Sequence, residues 1–527
     1  MDTGIADRSK CGTGVLADQG GSLLRVGELS SYGVEWSDCL RATPRGGMSY
    51  FGHFLRANGL FDDLVNSCPL AYTSNNAPDK RAVLGTVVAG IVNGARRYAH
   101  LSHLKGDGLC AAMLDLGGFV SEDSVRRGLL KCTPQQWPAW DAWLTKAELA
   151  SVLPLLGEPY VMDIDTSVKQ VFGHQEGAEV GYNPRRPGRP SQSLHVAFIG
   201  NLRMLFSVDV KGGKAHAARH MAEHFWERVD ALTPQLRPAL VRGDIGFGNE
   251  EYLAACELRA LGYLFKLKMS ARVKELVLRL ARVAEGPGWQ AAPGGWELAE
   301  SSLKLSGWSR ERRVAVLRRP FVEGRSKPRD AQDWLPGLAP DGMARKWEYT
   351  VLVCSHELPA GSLPTLYAER ADCENVLDEL KNQSSLAGFT TRDLRRCRLI
   401  ARLTAVVSNW WNVFSRIAQP HQHMEPVTSR PELLDLLAVL VVHGGKKLLR
   451  VCSQHQNAPA VKRAFERMHT VFSAIDAIAE QLSRAEVWAI QLSVAFYAWL
   501  RGKVLKVPSM AEKTVHRLAL QPADAPS

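Results

Sequence analysis

The sequence predicts an α/β core flanked by helical regions at both ends and interrupted by a β-rich insertion. Three observations predict it. Runs of β-branched and aromatic residues alternate with helical stretches from about residue 158 to residue 354, the texture of a mixed sheet with helices on it. On either side of that stretch the apolar residues recur with helical period. Between residues 285 and 345, Gly, Trp and Pro punctuate short strands such as Arg313 to Leu317.

In chain order, residues 1–150 form an N-terminal, mostly helical region. Its first 80 residues or so are rich in Gly and Ser and read as a loosely structured arm with short helices. From Arg81 to Lys146 the pattern turns helical: Val83, Leu84, Val87, Val88 and Ile91 make an apolar stripe. Ser121 is placed to cap a helix with Glu122 and Asp123 in its first turn and Arg126 and Arg127 later. That helix reads as a bundle helix ahead of a DNA-reading one, and the assignment of DNA binding to this region rests on elimination. Residues 151–284 hold the first part of the core, with strands over Glu158 to Val168, Met204 to Val210, Ala239 to Arg242 and Tyr263 to Leu267. Helices over Ala215 to Leu232 and Asn249 to Leu261 lie between them. The insertion covers 285–345. The core resumes over 346–420 with a strand at Tyr349 to Cys354, and residues 421–527 are a helical C-terminal region with a polar tail.

Composition narrows the class. Hydrophobic residues are 46% and charged residues 23%, enough for a large buried core, which excludes global disorder, collagen-like repetition and a small disulfide scaffold. None of the 10 cysteines forms a CxxC pair, so neither a zinc ribbon nor a thioredoxin motif is present. The first residues lack the basic and apolar segments of a signal peptide, and a reducing cytoplasm is the expected compartment. Leu433 to Val442, apolar but for Asp435, is about half a bilayer span, and no membrane association is expected. Lys and Arg number 65 against 54 Asp and Glu, a net charge of +11. That surplus leaves a nucleic-acid partner and no polyanionic partner equally open.

Three places could carry chemistry. Tyr160 to Val168 alternates so that Val161, Asp163 and Asp165 share one strand face. Two carboxylates on an apolar strand repel each other and are costly to desolvate, and a divalent cation would reverse that cost. Alternatively the strand ends there and Asp165-Thr166 begins a turn. Next, Leu240 to Arg242 runs into Gly243-Asp244, followed by glycines and a helix. An acid at the C-terminal end of such a strand sits where α/β folds place ligands, although Asp244 could simply cap the turn. The third place is the most informative. Tyr367, Arg370, Glu374 and Lys381, spaced by 3, 4 and 7, fall within an arc of roughly 60° on one helix. The apolar residues Leu366, Cys373, Val376, Leu377 and Leu380 adjoin them. A solvated Arg370–Glu374 pair explains two of the four, but neither the Tyr nor the Lys.

Asp165, then Asp244, then Glu374 within Y-x2-R-x3-E-x6-K resembles the DDE transposases of bacterial insertion sequences that carry a Tyr-Arg-Glu-Lys signature. Gly173-His174-Gln175-Glu176-Gly177-Ala178, followed by Gly181-Tyr182-Asn183-Pro184, is similar to one group of them. The resemblance implies an RNase H-like mixed-sheet core in which Asp165, Asp244 and Glu374 are the catalytic and metal-binding acids, with Asp163 an extra ligand or a supporting group. It implies two Mg2+ ions, for which Mn2+ can substitute. Tyr367, Arg370 and Lys381 would contact DNA phosphates near the transposon end. The implied activity is metal-dependent cleavage at transposon ends and strand transfer into target DNA, a cut-and-paste reaction. The partners would be double-stranded DNA carrying terminal inverted repeats, target DNA and a second copy of the chain in a synaptic complex, associated with the nucleoid. An RNase H-like nuclease without strand transfer, and a non-catalytic basic DNA-binding regulator, are the competing readings.

Three basic stretches flank these acids and outline a DNA path. They are Arg185, Arg186 and Arg189 in a Pro-rich loop, Arg392, Arg395, Arg396, Arg398 and Arg402 after the signature helix, and Arg310, Arg312, Arg313, Arg318 and Arg319 in the insertion. His174, His216, His220 and His224 are read as exposed or packing residues, and Trp289, Trp296 and Trp308 as core residues ahead of platforms for an extruded base.

Overall fold

The structure, a computed structural model, describes residues 23–24, 34–35, 41–215, 217–282, 288–320, 347–454 and 457–520. Most of the expected arm before residue 41, His216, the insertion between residues 321 and 345 and the polar tail lie outside the described residues.

The core begins with an antiparallel meander, β1 (Val161–Gln170), β2 (Pro190–Ile199) and β3 (Met204–Gly212). Helix α1 (Ala217–Asp230) then returns the chain to β4 (Leu240–Gly243), which lies parallel to β1. Helix α2 (Glu250–Leu258) leads to β5 (Gly262–Lys266), parallel to β4. The spatial order is β3-β2-β1-β4-β5, three antiparallel strands continued by two parallel ones, which is the expected RNase H-like core. β2 was not foreseen: its polar start, Ser191-Gln192-Ser193, hides a strand that is buried almost throughout.

The β-rich insertion extends this sheet and does not make a layer of its own. Strands β6 (Trp296–Leu303), β7 (Arg312–Pro320) and β8 (Trp347–Cys354) pair in sequence, and β8 pairs antiparallel with β5. A single sheet of 10 strands results.

The hub of the helical regions is α4 (Leu394–Ala418), 25 residues long and buried from Cys397 onward on nearly every face. A helix buried all round must be enclosed by other elements. It packs on β3 on one side and on the helices Lys80–Val92, Trp137–Val152, Ala458–Asp476 and Arg484–Phe496 on the others. One apolar cluster therefore runs from Met48 to Leu518. This corrects the loose-arm expectation for residues 41–80, where Phe51, Phe54, Phe61 and Leu64 sit in that core. Ser121 caps its helix as expected, accepting from the Ser124 amide. A second departure is at the C-terminal side: residues 438–451, expected as helix, form the hairpin β9 (Ala438–His443) and β10 (Lys446–Val451). No helix among the described residues is long and apolar enough to cross a membrane.

Candidate active site

β1 carries its two acids on one face, as its alternation requires, but they meet different partners. Asp163 pairs in register with Arg242 of β4 and takes a two-pronged contact from it, with Nε to Oδ1 at 2.7 Å and Nη2 to Oδ2 at 2.8 Å. Both side chains are almost fully buried. Burial works against the Arg242 cation, but the hydrogen bonds to Asp163 outweigh it and hold the guanidinium charged. Arg242 also donates to the Leu366 carbonyl and lies 3.3 Å from Glu369, so it ties β4 to the signature segment. Gly200 makes room for this pair: a Cβ there would lie 2.5 Å from Asp163 Oδ2. Both Asp163 oxygens are thus engaged by Arg242.

Asp165, two residues on, receives the Thr166 amide at 2.7 Å and faces Arg370 Nη2 at 3.1 Å. Its carboxyl is pushed up to about 6, first by burial and then by the negative charges of Asp244 and Glu374, against the pull of Arg370. Asp244 follows β4 and accepts the Gly246 amide at 2.9 Å, so it does form the expected turn. The charges of Asp244 and Glu374 both act on the Asp165 carboxyl, which lies midway along β1.

Glu374 stands on α3 (Asp372–Asn382), where it is exposed, while Cys373, Val376, Leu377 and Leu380 bury the opposite side. α3 is clamped from that side by Arg203, in the turn between β2 and β3, which reaches Asp372 at 2.6 Å and Glu379 at 2.8 Å. The signature row is not one continuous α-helix. Leu363–Ala368 is α-helical, Glu369–Ala371 is a 3-10 step, and α3 follows. A 3-10 turn winds tighter than an α-helix, so the four residues do not share one environment. Tyr367 and Arg370 turn inward. Burial raises the Tyr367 hydroxyl pKa, and the nearby Asp244 and Asp165 charges add to it. For Arg370, burial opposes the charge, but Asp165 foremost overrides it and the pKa is raised. Lys381 donates from Nζ to Ser167 Oγ at 2.8 Å, back onto β1. Its pKa is lowered by burial and then by Arg185 of the Pro-rich loop.

The G-H-Q-E-G-A box turns out to be architecture around this site. The Glu176 amide donates to the Arg392 carbonyl at 2.9 Å, and its carboxylate accepts the Leu394 amide at 2.9 Å, which fixes the start of α4. Beyond it, buried Asn183 accepts the Arg186 amide at 3.1 Å and shapes the turn that presents Arg185 and Arg186 to solvent. Arg189 lies over the exposed ring of Phe172 at 4.7 Å. None of the three arginines has a carboxylate partner among the described residues.

In the other two basic stretches every arginine except Arg392 is paired with an acid among the described residues. Arg402 is fully buried against Glu148 at 2.7 Å and Asp141 at 2.6 Å, Arg398 pairs with Asp209 at 2.6 Å, and Arg395 and Arg396 with Asp393 at 3.2 and 3.4 Å. In the insertion, Arg310 and Arg312 pair with Glu257, Arg313 with Glu300, Arg318 with Glu297 and Arg319 with Glu348. Arg318 is also stacked between Trp289 at 3.9 Å and Trp347 at 4.5 Å, and Arg319 on Trp296 at 4.4 Å. These tryptophans therefore serve packing. His224 is half-buried beside Asp209, and His220 and His174 are exposed.

The donor chemistry suits a hard divalent cation: carboxylate oxygens that repel one another and that a positive charge would reconcile. Among the described residues no three His, Cys, Asp or Glu side chains are gathered as a closed metal-binding group, and Arg370 stands against Asp165 as its cation.

Comparison with known proteins follows from this geometry. Residues 154–472 match the family model described as transposase DDE domain group 1. No curated protein matches the chain. Among solved structures, the piggyBac transposase synaptic complex with hairpin DNA, from cryo-electron microscopy, is similar at a TM-score of 0.38 and 11% identity, covering 93% of this chain and 88% of that one.

Proposed function

We propose, from the premise that the chain belongs to the transposase DDE domain family (group 1) and is a transposase, that Asp165, Asp244 and Glu374 are its catalytic acids. The observation that carries the assignment is the Asp165 carboxyl, pushed up to about 6 with Asp244 and Glu374 among its causes. An acid that follows β4 and an acid on α3 both bear on one buried carboxyl midway along β1.

The family implies divalent metal, and Mg2+, as two ions with Mn2+ able to replace them, is the proposed cofactor on Asp165, Asp244 and Glu374. Bound there, such ions supply Lewis-acid stabilisation of the phosphodiester and an activated water. The chain's own residues do the rest. Asp163 and Arg242 fix the strand from which Asp165 projects. Tyr367, Arg370 and Lys381, with Arg185, Arg186 and Arg189, position the duplex through its phosphates and carry no base information. The reaction proposed is cut-and-paste. Water attacks the phosphorus at the transposon end, breaking the bond to the 3′ oxygen and leaving a 3′-hydroxyl. That hydroxyl then attacks a phosphorus in target DNA, with departure of the target's own 3′ oxygen. The finer placement proposed is the bacterial insertion-sequence class with the Tyr-Arg-Glu-Lys signature, acting as a homodimer on two inverted repeats beside the nucleoid.

Asp165→Asn, Asp244→Asn and Glu374→Gln are each expected to abolish cleavage of a transposon-end duplex with Mg2+ while end binding in a gel shift persists. Any one of the three cleaving like the parent removes it from the assignment. A protein that cleaves but never joins the 3′-hydroxyl end to a second duplex would be a nuclease.

A further inference from the structure

The hairpin of β9 and β10 is left over by the proposed site. It hangs on the short strand Ala42–Thr43, which pairs with Ala438 and Val439, and on the Cys452 amide donating to the Leu437 carbonyl at 2.8 Å. From there two strands of 6 residues each run outward, about 20 Å at the usual rise per residue. Gly444 and Gly445 close it with φ of 56° and 77°, the left-handed pair that a two-residue hairpin turn of matching twist demands. A Cβ added to either glycine would meet nothing within 4 Å among the described residues, so the tip stands clear of them.

Its side chains are unusual for a free-standing arm. Lys446, Lys447 and Arg450 are exposed, and residues 438–451 contain no acid. Among the described residues none of the three has a carboxylate partner, unlike the paired arginines of the insertion. Val442 is 65% exposed and Leu448 47%, so apolar surface accompanies the cations. The register places Val442 opposite Lys447 and Val439 opposite Arg450, so each face mixes an apolar residue with a cation.

We propose that this hairpin is a second DNA-binding element, a β-arm laid along duplex DNA away from the catalytic acids. A two-stranded ribbon has the width that the major groove admits, the cations answer the phosphates, and aliphatic side chains suit the thymine methyl groups within the groove. A second copy of the chain fits less well. Pairing through the free edge of β10 would bring Lys446, Lys447 and Arg450 against the same residues of the other copy, and edge lysines oppose such pairing. That the protein is a transposase supplies the DNA; the identity of the catalytic acids does not enter.

The test is fluorescence anisotropy with the full chain and a random-sequence duplex over a salt series. The parent is compared with the neutral variant Lys446→Ala/Lys447→Ala/Arg450→Ala and the reversed variant Lys446→Glu/Lys447→Glu/Arg450→Glu, with light scattering for oligomeric state. The neutral variant is expected to lower the slope of log K against log salt by about 2 to 3 and to weaken binding about tenfold or more. The reversed variant should weaken it further, with the oligomer unchanged. Parental affinity and slope in both variants would overturn the proposal. So would an unchanged slope with loss of the oligomer, which would make the hairpin a contact between copies.

Discussion

Among the described residues, every arginine of the insertion's cluster has an acid, and in the loop between β1 and β2 none does. Arg312 is buried between Glu250 at 2.7 Å and Glu257 at 2.7 Å, whereas Arg185 and Arg186 extend into solvent from a turn built by Asn183. The same contrast recurs two residues apart on β1. Asp163 is closed by the guanidinium of Arg242, while Asp165 has one oxygen against Arg370 and bears the repulsion of Asp244 and Glu374. Arg312 and Asp163 are each closed by more than one contact within the protein, whereas Arg185 and Arg186 are left to solvent. The net charge of +11 reports only the sum of the two kinds.

The comparison can be broken at the matched end first. Arg242→Ala strands the buried Asp163 carboxylate and should cost about 3–5 kcal/mol in urea unfolding. Melting with the parent would mean that the pair does not hold the sheet. Arg312→Ala should cost about 2 kcal/mol, less because its two glutamates reach water, and should leave the salt dependence of DNA binding unchanged. At the unmatched end, Arg185→Ala/Arg186→Ala should melt with the parent. It should lower the salt slope of binding by about 2, equally on every sequence; an unchanged slope takes the loop off the DNA path. The smallest effect is in pH. Asp165 has a carboxyl raised to about 6, so it takes up a proton as pH falls through that value, and a protonated carboxyl ligates poorly. The apparent affinity for Mn2+ should fall about tenfold per pH unit below about 6, since one proton competes with the ion for that carboxyl. An affinity that stays flat down to about pH 5 would remove Asp165 from that role.

Much of this was readable in the sequence because it is local. Period two on β1, a strand running into Gly243-Asp244 and the spacing of Tyr367, Arg370, Glu374 and Lys381 each lie within a dozen or so residues. What escaped is non-local or masked. Arg312 finds Glu250 62 positions away and Arg402 finds Glu148 254 positions away, distances that only the topology closes. β2 begins with polar residues whose burial depends on neighbours on both sides, and the β9–β10 hairpin is marked only by Gly444-Gly445 within an otherwise helical background. The 3-10 step at Glu369–Ala371 breaks the even winding that helical-wheel arithmetic assumes.

Asp165, Asp244 and Glu374 are proposed as a cation site. Titration of Mn2+ into the protein bound to a transposon-end duplex, followed by the loss of the free-ion electron paramagnetic resonance signal, tests it most directly. The parent should bind Mn2+, and Asp165→Asn and Glu374→Gln should each lose most of that binding, while Asp163→Asn, if it folds, keeps it. Equal Mn2+ uptake by the parent and both ligand variants would contradict the account.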